Sequence, residues 1–163
     1  MKEKTNDKPT PKESLQILNS KEKKALNQQI MDQWGCELDK EFVFLLSNKE
    51  KLYILDKDMD KIALDNLRVD NMGLYVCTVN DKGVRLSIEG SQIIGPHATK
   101  NILEITDAEV KEWLRGNDLH HEPGDCKGFI IIKNKTDFLG CGKVAEKGIM
   151  NFVPKARRIT STD

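Results

Sequence analysis

The sequence predicts an α+β protein in which a small mixed N-terminal domain precedes a small β-barrel with short helices. Near the N-terminus, apolar residues recur at helical spacing and are followed by two hairpin strands. Beyond residue 73, about six short strands alternate with turn signals and two short helical segments. Closure into a barrel protects the edges of so many short strands.

Three segments follow from composition and pattern. Residues 1–18 are expected to form a disordered tail, because their N-terminal part is rich in Lys, Thr, Asp, Asn and Pro. Residues 19–70 are expected to form the small α+β domain, and residues 71–159 the barrel. In the first domain, Ser20 is the expected N-cap of a helix that ends at Gly35 and buries Leu26, Ile30 and Trp34.

The remaining elements are predicted from strand alternation and turn residues. In the first domain, strands are expected at 41–47 and 51–55, with a short helix and a loop within 56–70. In the barrel, a capping box at Thr106 to Glu109 opens a helix that Gly116 ends, and residues 87–94 form another. The barrel strands are expected at 73–79, 84–86, 100–105, 128–133, 138–145 and 149–153.

Charge is balanced overall but unevenly distributed. The chain holds 26 basic and 26 acidic side chains, so net charge gives no indication of a nucleic-acid partner. Residues 25–125 carry 11 basic and 19 acidic side chains, whereas residues 126–163 carry eight and three. A phosphate-binding patch is therefore expected at the C-terminus, in the run Lys155-Ala156-Arg157-Arg158. Alternation along a strand would place Lys155 and Arg157 on one face.

Metal motifs are incomplete, so no metal site is predicted. Residues 56–60 begin like a calcium-binding loop, but Lys61 and Leu67 stand where that loop needs Gly and Glu. A zinc set of His120, His121, Cys126 and Cys141 lacks the usual ligand spacing. The four cysteines are interpreted as reduced thiols in a cytoplasmic protein.

No catalytic group or cofactor is predicted either. Gly140-Cys141-Gly142-Lys143 is not a phosphate-binding loop, because Asp137 and Val144 occupy positions that require Gly and Ser or Thr. The glycines are interpreted as permitting a bulge or a close backbone approach within a strand. The longest apolar run, residues 42–46, is too short to span a membrane, and the N-terminus has no apolar segment typical of a signal peptide.

The C-terminal part resembles a PUA domain, the RNA-binding barrel named after pseudouridine synthases and archaeosine transglycosylases. The residues that carry this resemblance are 73–77, 84–92, 106–119, 128–132, 138–144 and 151–158. The last stretches are similar to the PUA-like C-terminal region of Sun-type RNA cytosine-5 methyltransferases and of their small stand-alone relatives in ribosome biogenesis. Residues 20–70 resemble the small domain that precedes PUA in such proteins.

The resemblance implies binding of structured RNA, ribosomal or transfer, in processing, modification or ribosome assembly. The methyltransferases carry a separate domain for S-adenosylmethionine that holds their catalytic cysteines. The 163 residues leave no room for it, so we expect binding without catalysis. The expected surface joins the first barrel helix and its preceding loop to the closing strand, through Arg85, Ser91, Gln92, Lys143, Lys155, Arg157 and Arg158.

Three alternatives stay open at this point. One is a protein–protein adaptor that recruits an RNA-modifying enzyme or a ribosome-assembly factor. A second is a trans-acting subunit of a cytosine-5 methyltransferase. A third is a small enzyme that uses Cys141 or His121. An acidic face beside the closing strand would repel RNA and favour the adaptor. The nine Phe, Trp and Tyr residues are few for a platform that binds single strands by stacking.

Overall fold

A computed structural model describes residues 14–57 and 73–160, and this part of the chain confirms the α+β class. None of its helices is both long enough and apolar enough to cross a membrane. The helices are α1 (Ser20–Trp34), α2 (Ile88–Ile94) and α3 (Asp107–Leu114). The strands are β1 (Leu15–Ile17), β2 (Val43–Ser47), β3 (Lys51–Leu55), β4 (Leu74–Asn80), β5 (Gly83–Leu86), β6 (Ile102–Glu104), β7 (Phe129–Asn134), β8 (Asp137–Ala145) and β9 (Gly148–Asn151).

Helix α1 has its N-cap one residue earlier than the sequence indicated. Asn19, not Ser20, keeps the extended backbone of a cap, and its side chain accepts the Glu22 N–H at 2.9 Å. The Glu22 carboxylate accepts the Asn19 N–H at 2.8 Å in return, which completes a capping box. The predicted end is confirmed, since Gly35 adopts a left-handed φ of 73°.

Strand β1 corrects the expected extent of the disordered tail. It lies within residues 1–18 but pairs with β2, with Leu15 opposite Ser47 and Ile17 opposite Leu45. The charged and proline-rich residues that predicted disorder lie further upstream. Backbone pairing with an existing strand orders this short apolar segment.

The first sheet has the order β1-β2-β3-β4-β5, and every neighbouring pair is antiparallel. The expected domain boundary at residue 70 falls between β3 and β4, which pair directly, with Leu52 opposite Cys77. The two-domain division therefore stays a prediction, and its boundary lies inside one sheet. The helix expected within 56–70 falls almost wholly outside the described residues.

The second sheet has the order β6-β7-β8-β9, with β6 parallel to β7 and the other pairs antiparallel. Helix α3 begins with the predicted capping box of Thr106 and Glu109. In the described part of the chain, the strands expected to form a barrel are distributed over these two sheets. Successive side chains of β7 point to opposite faces of the sheet and pack in two different cores. Ile131 belongs to the core around Trp34 and Phe44. Ile130 and Ile132 belong to the core around Trp113.

The segment after β9 corrects the expected closing strand. Lys155–Arg157 form a short 3-10 helix, and the strand ends at Asn151. The Asn151 side chain accepts the Val153 N–H at 2.7 Å, and Pro154 has no N–H to offer to a neighbouring strand. Pairing therefore stops before the basic residues, and strand alternation does not set their directions.

Candidate nucleic-acid interface

The loop before α2 is fixed to strand β4 by Ser87. Its hydroxyl donates to the Tyr75 carbonyl at 2.6 Å and accepts the Gly90 N–H at 2.9 Å as the N-cap of α2. A Cβ on Gly90 would lie 2.0 Å from the Val76 carbonyl oxygen, so only glycine permits this approach. The loop is therefore held against the first sheet, and Arg85, which was expected in this loop, lies instead on strand β5, opposite Thr78.

A cavity of about 130 Å³ lies between this loop, α2 and the C-terminal segment. We call it the Arg85 pocket, and its lining includes Tyr75, Arg85, Glu89, Phe152 and Arg157. It forms where the two parts of the surface expected from the sequence meet. The pocket thus brings together Arg85 and Arg157, which are 72 positions apart in the chain.

A series of cation–ring and ring–ring contacts leads from Arg85 and Phe152 in the pocket to Phe129 and Lys143 at its border. The guanidinium of Arg85 lies over the Phe152 ring, 5.0 Å from its centroid. Phe152 meets Phe129 edge to face at 5.8 Å, and the Lys143 ammonium lies 5.3 Å from the Phe129 centroid. The rings orient both cations without neutralising them, since a cation over a ring retains its charge.

Arg157 is held differently, by a carboxylate. Its Nη1 donates to Glu89 Oε1 at 2.6 Å, while its side chain stays half-exposed. Partial burial opposes ionisation of Glu89, but the hydrogen bond and charge of Arg157 outweigh it and hold the pKa of Glu89 below its usual range. Glu89 therefore carries its charge at neutral pH and offsets that of Arg157.

Asn151 anchors the C-terminal segment, a role that sequence reasoning missed. Its Nδ2 donates to the carbonyls of Trp113 at 2.8 Å and Asn117 at 2.9 Å. Its backbone N–H donates to Asp118 Oδ1 at 2.8 Å. Sequence analysis placed Asn151 inside the predicted strand 149–153, where nothing in the local pattern indicated these contacts.

The other expected contacts differ in exposure. Ser91 was expected to contact RNA, and the structure corrects this expectation. The residue is fully buried, and its hydroxyl donates to the Ile88 carbonyl at 2.6 Å. Arg158 is half-buried, and its Nε donates to the Val153 carbonyl at 3.1 Å. The same guanidinium packs against Gly116, in the space that a Cβ on that residue would occupy. Gln92 and Lys155 are exposed but do not line the Arg85 pocket.

Cys141 lines the pocket as a buried, protonated thiol. Its burial raises its pKa to about 12, so it is not a nucleophile at neutral pH. The predicted bulge is present: β8 has one residue more than β7 between the pairs Lys133–Phe138 and Ile131–Cys141, and Gly140 has a left-handed φ of 116°.

Two of the candidate zinc ligands, His121 and Cys126, make contacts with other groups. His121 Nδ1 lies 2.8 Å from Glu109 Oε1, and the Cys126 thiol is directed to the Ile102 carbonyl at 3.6 Å. Within the described ranges, no three His, Cys, Asp or Glu side chains are grouped as metal ligands would be.

Comparison with known proteins supports the RNA-binding resemblance in the second half of the chain. Residues 100–159 match the family model described as the methyltransferase RsmF PUA domain. This region is PUA-like. It contains Lys143, Phe152 and Arg157 of the interface, whereas Arg85 and Glu89 lie outside the matched residues.

The relatives found by sequence are small-subunit ribosomal RNA methyltransferases F. The protein of Aeromonas hydrophila is 26% identical over 111 residues, which is 68% of this chain and 23% of that protein. The protein of Vibrio parahaemolyticus is 25% identical over 142 residues, 84% of this chain and 29% of that protein. The chain thus resembles the Sun-type methyltransferases and spans about a quarter of their length.

Proposed function

We propose that the chain binds structured RNA, ribosomal or transfer, through the Arg85 pocket and its borders, and acts in RNA modification or ribosome assembly without catalysis of its own. The PUA-like region and the ribosomal RNA methyltransferases among its relatives support RNA as the partner. The observation that carries the proposal is the meeting of Arg85 and Arg157 at one pocket, with Lys143 at its border, linked to Arg85 through the rings of Phe152 and Phe129.

The geometry of these cations suits a duplex backbone. Arg85 and Lys143 are oriented by rings rather than by carboxylates, so their N–H groups can donate to phosphate oxygens. Among the described residues, no carboxylate lies within salt-bridge distance of Arg85 or Lys143. Such contacts position a protein on RNA by shape and charge rather than by base sequence.

The chemistry of the pocket supports binding over catalysis. Its thiol, Cys141, is kept protonated by burial, and its carboxylate, Glu89, is paired with Arg157. Neither group is poised as a nucleophile or a general base at neutral pH. Incubation with labelled S-adenosylmethionine and ribosomal RNA should leave the RNA unlabelled, and incorporation above a no-protein blank would overturn this part of the proposal.

The binding test compares two double charge reversals. Arg85→Glu with Lys143→Glu changes the pocket, whereas Lys100→Glu with Lys127→Glu makes the same charge change at two exposed lysines of a different groove. We expect the first pair to weaken binding of a ribosomal RNA hairpin at least about tenfold and to flatten its salt dependence by about two units of slope. The second pair should bind nearly as the parent does.

Equal affinities of the two double variants would place the RNA surface elsewhere. Unfolding curves of both variants must match the parent for the comparison to count, since a folding defect would mimic lost contacts.

A protein partner is the second candidate, favoured by a larger groove on another side of the molecule. This groove measures about 820 Å³ and is lined by both acidic and basic side chains, Asp32, Lys100, Asp125 and Lys127 among them. Mixed charge is typical of protein contacts and unfavourable for a phosphate track. If the parent binds no RNA hairpin but co-purifies an RNA-modifying enzyme, and Lys100→Glu with Lys127→Glu abolishes that, the adaptor function replaces the first proposal.

A further inference from the structure

Tyr75 gives the Arg85 pocket a stacking surface that phosphate binding does not use. Its half-buried ring belongs to β4 in the first sheet, outside the residues that match the PUA family model. The opposite part of the lining holds the Arg85 guanidinium on the Phe152 ring. Aromatic rings and guanidinium planes are the two surfaces on which proteins stack unpaired RNA bases.

The aromatic surface continues from Tyr75 along the first sheet. Tyr53 lies opposite Tyr75 on β3, with ring centroids 5.7 Å apart and a tilt of 46°. The Lys51 ammonium lies over the Tyr75 ring, 5.3 Å from its centroid. Proteins that bind single strands combine a basic groove with aromatic rings on which successive bases stack. Two rings with a neighbouring cation resemble a short segment of such a groove.

We propose that one or two unpaired nucleotides next to the bound duplex dock here, with a base stacked at Tyr75 and its phosphate paired with Lys51. The inference rests on the proposed function, because the duplex must bind beside the pocket. A cross-strand tyrosine pair also stabilises a sheet by up to about 1 kcal/mol. Sheet stability alone does not explain why Tyr75 also lines a pocket that contains Arg85 and Arg157.

The small number of aromatic residues fits this limited role. A continuous single-strand platform needs rings along a whole face, whereas one stacked nucleotide needs only the pair described. The partner expected from this surface is therefore a duplex with a bulge, a flap or a short unpaired end, not a fully single-stranded RNA.

The test measures the affinity that an unpaired end adds. A blunt hairpin and the same hairpin with a four-nucleotide 3′ or 5′ extension are titrated against the parent protein, Tyr75→Leu and Tyr75→Phe. We expect one extension to tighten parent binding about fivefold or more, in line with stacking of one base. The readout is the ratio of extended to blunt affinity within each variant, so any effect of the substitution on duplex binding cancels; Tyr75→Phe should keep the parent's ratio, and Tyr75→Leu should bring it close to one.

Phe138→Leu serves as the matched control. The half-buried Phe138 ring on β8 also has a lysine over it, with the Lys133 ammonium 5.7 Å from the ring centroid, but Phe138 lies outside the pocket. An extension that adds nothing to the parent, or a gain that survives Tyr75→Leu, overturns the inference and leaves the proposed function intact. A parent that does not bind the blunt hairpin or either extended hairpin overturns the proposed function itself.

Discussion

The two sides of the Arg85 pocket hold their arginines in different ways. On the β5 side, Arg85 rests on the Phe152 ring and keeps its charge available. On the C-terminal side, Arg157 is paired with Glu89 at 2.6 Å. An RNA phosphate can approach the first arginine directly, but at the second it must compete with a carboxylate that already occupies the guanidinium.

This contrast shows that position in a basic run is a poor guide to a cation's availability. The run 155–158 holds three basic residues, yet Arg157 is paired with a carboxylate and Arg158 bonds the backbone. Arg85 lies in a segment with acidic surplus, yet within the described ranges no carboxylate lies within salt-bridge distance of it.

Removing the anchor of the C-terminal side should have the largest effect. Asn151→Ala leaves the Val153 N–H without its acceptor and the carbonyls of Trp113 and Asn117 without their donor. We expect the free energy of unfolding to fall by about 2–4 kcal/mol, measured by urea denaturation. Asn80→Ala, which removes one exposed turn hydrogen bond at 3.0 Å, is the control and should cost well under half as much. A similar loss for both variants would mean that Asn151 is no anchor.

Reversing each arginine separately tests the comparison directly. Arg85→Glu should weaken hairpin binding about tenfold, a cost of about 1.4 kcal/mol. Arg157→Glu should weaken it less, about threefold, because Glu89 already offsets the charge of Arg157. Fluorescence anisotropy at a fixed salt concentration gives both values. The reverse order of effects would show that the C-terminal side makes the main contact.

Replacing Glu89 with a neutral side chain should leave Arg157 as available to phosphate as Arg85 is. Glu89→Gln releases Arg157 from its ion pair, so we expect hairpin affinity to rise about two- to threefold and the salt dependence to steepen by about one unit of slope. In the background of Arg157→Glu the same substitution should add less, because no released arginine is left. An unchanged salt slope in the single variant would indicate that Arg157 does not reach phosphate.

The smallest effect concerns the thiol at the pocket. Because burial raises the pKa of Cys141 to about 12, its reactive thiolate is scarce at pH 8 and increases only as pH rises toward that value. Iodoacetamide at pH 8 should therefore label Cys141 of the native protein far more slowly than half-buried Cys126, as peptide mass spectrometry would show. Rapid labelling of Cys141 would mean that the pocket opens in solution.

Most local elements of the described residues could be predicted from sequence, because their signals are short-range. Gly35 ends α1, the Thr106–Glu109 capping box begins α3, and Asn80 to Gly83 turns between β4 and β5, each through contacts within a few residues. The basic surplus at the C-terminus and the PUA-like resemblance were also visible there.

Which side chains are available at the site depends on long-range packing and could not be predicted from sequence. The composition of residues 1–18 indicated disorder, but long-range pairing with β2 orders β1. Ser91 is buried by the packing of α2, Arg157 meets Glu89 from 68 positions away, and Tyr75 reaches Arg85 and Phe152 through the fold. Burial and ion pairing depend on residues far apart in the chain, so no local pattern can assign the Arg85 pocket.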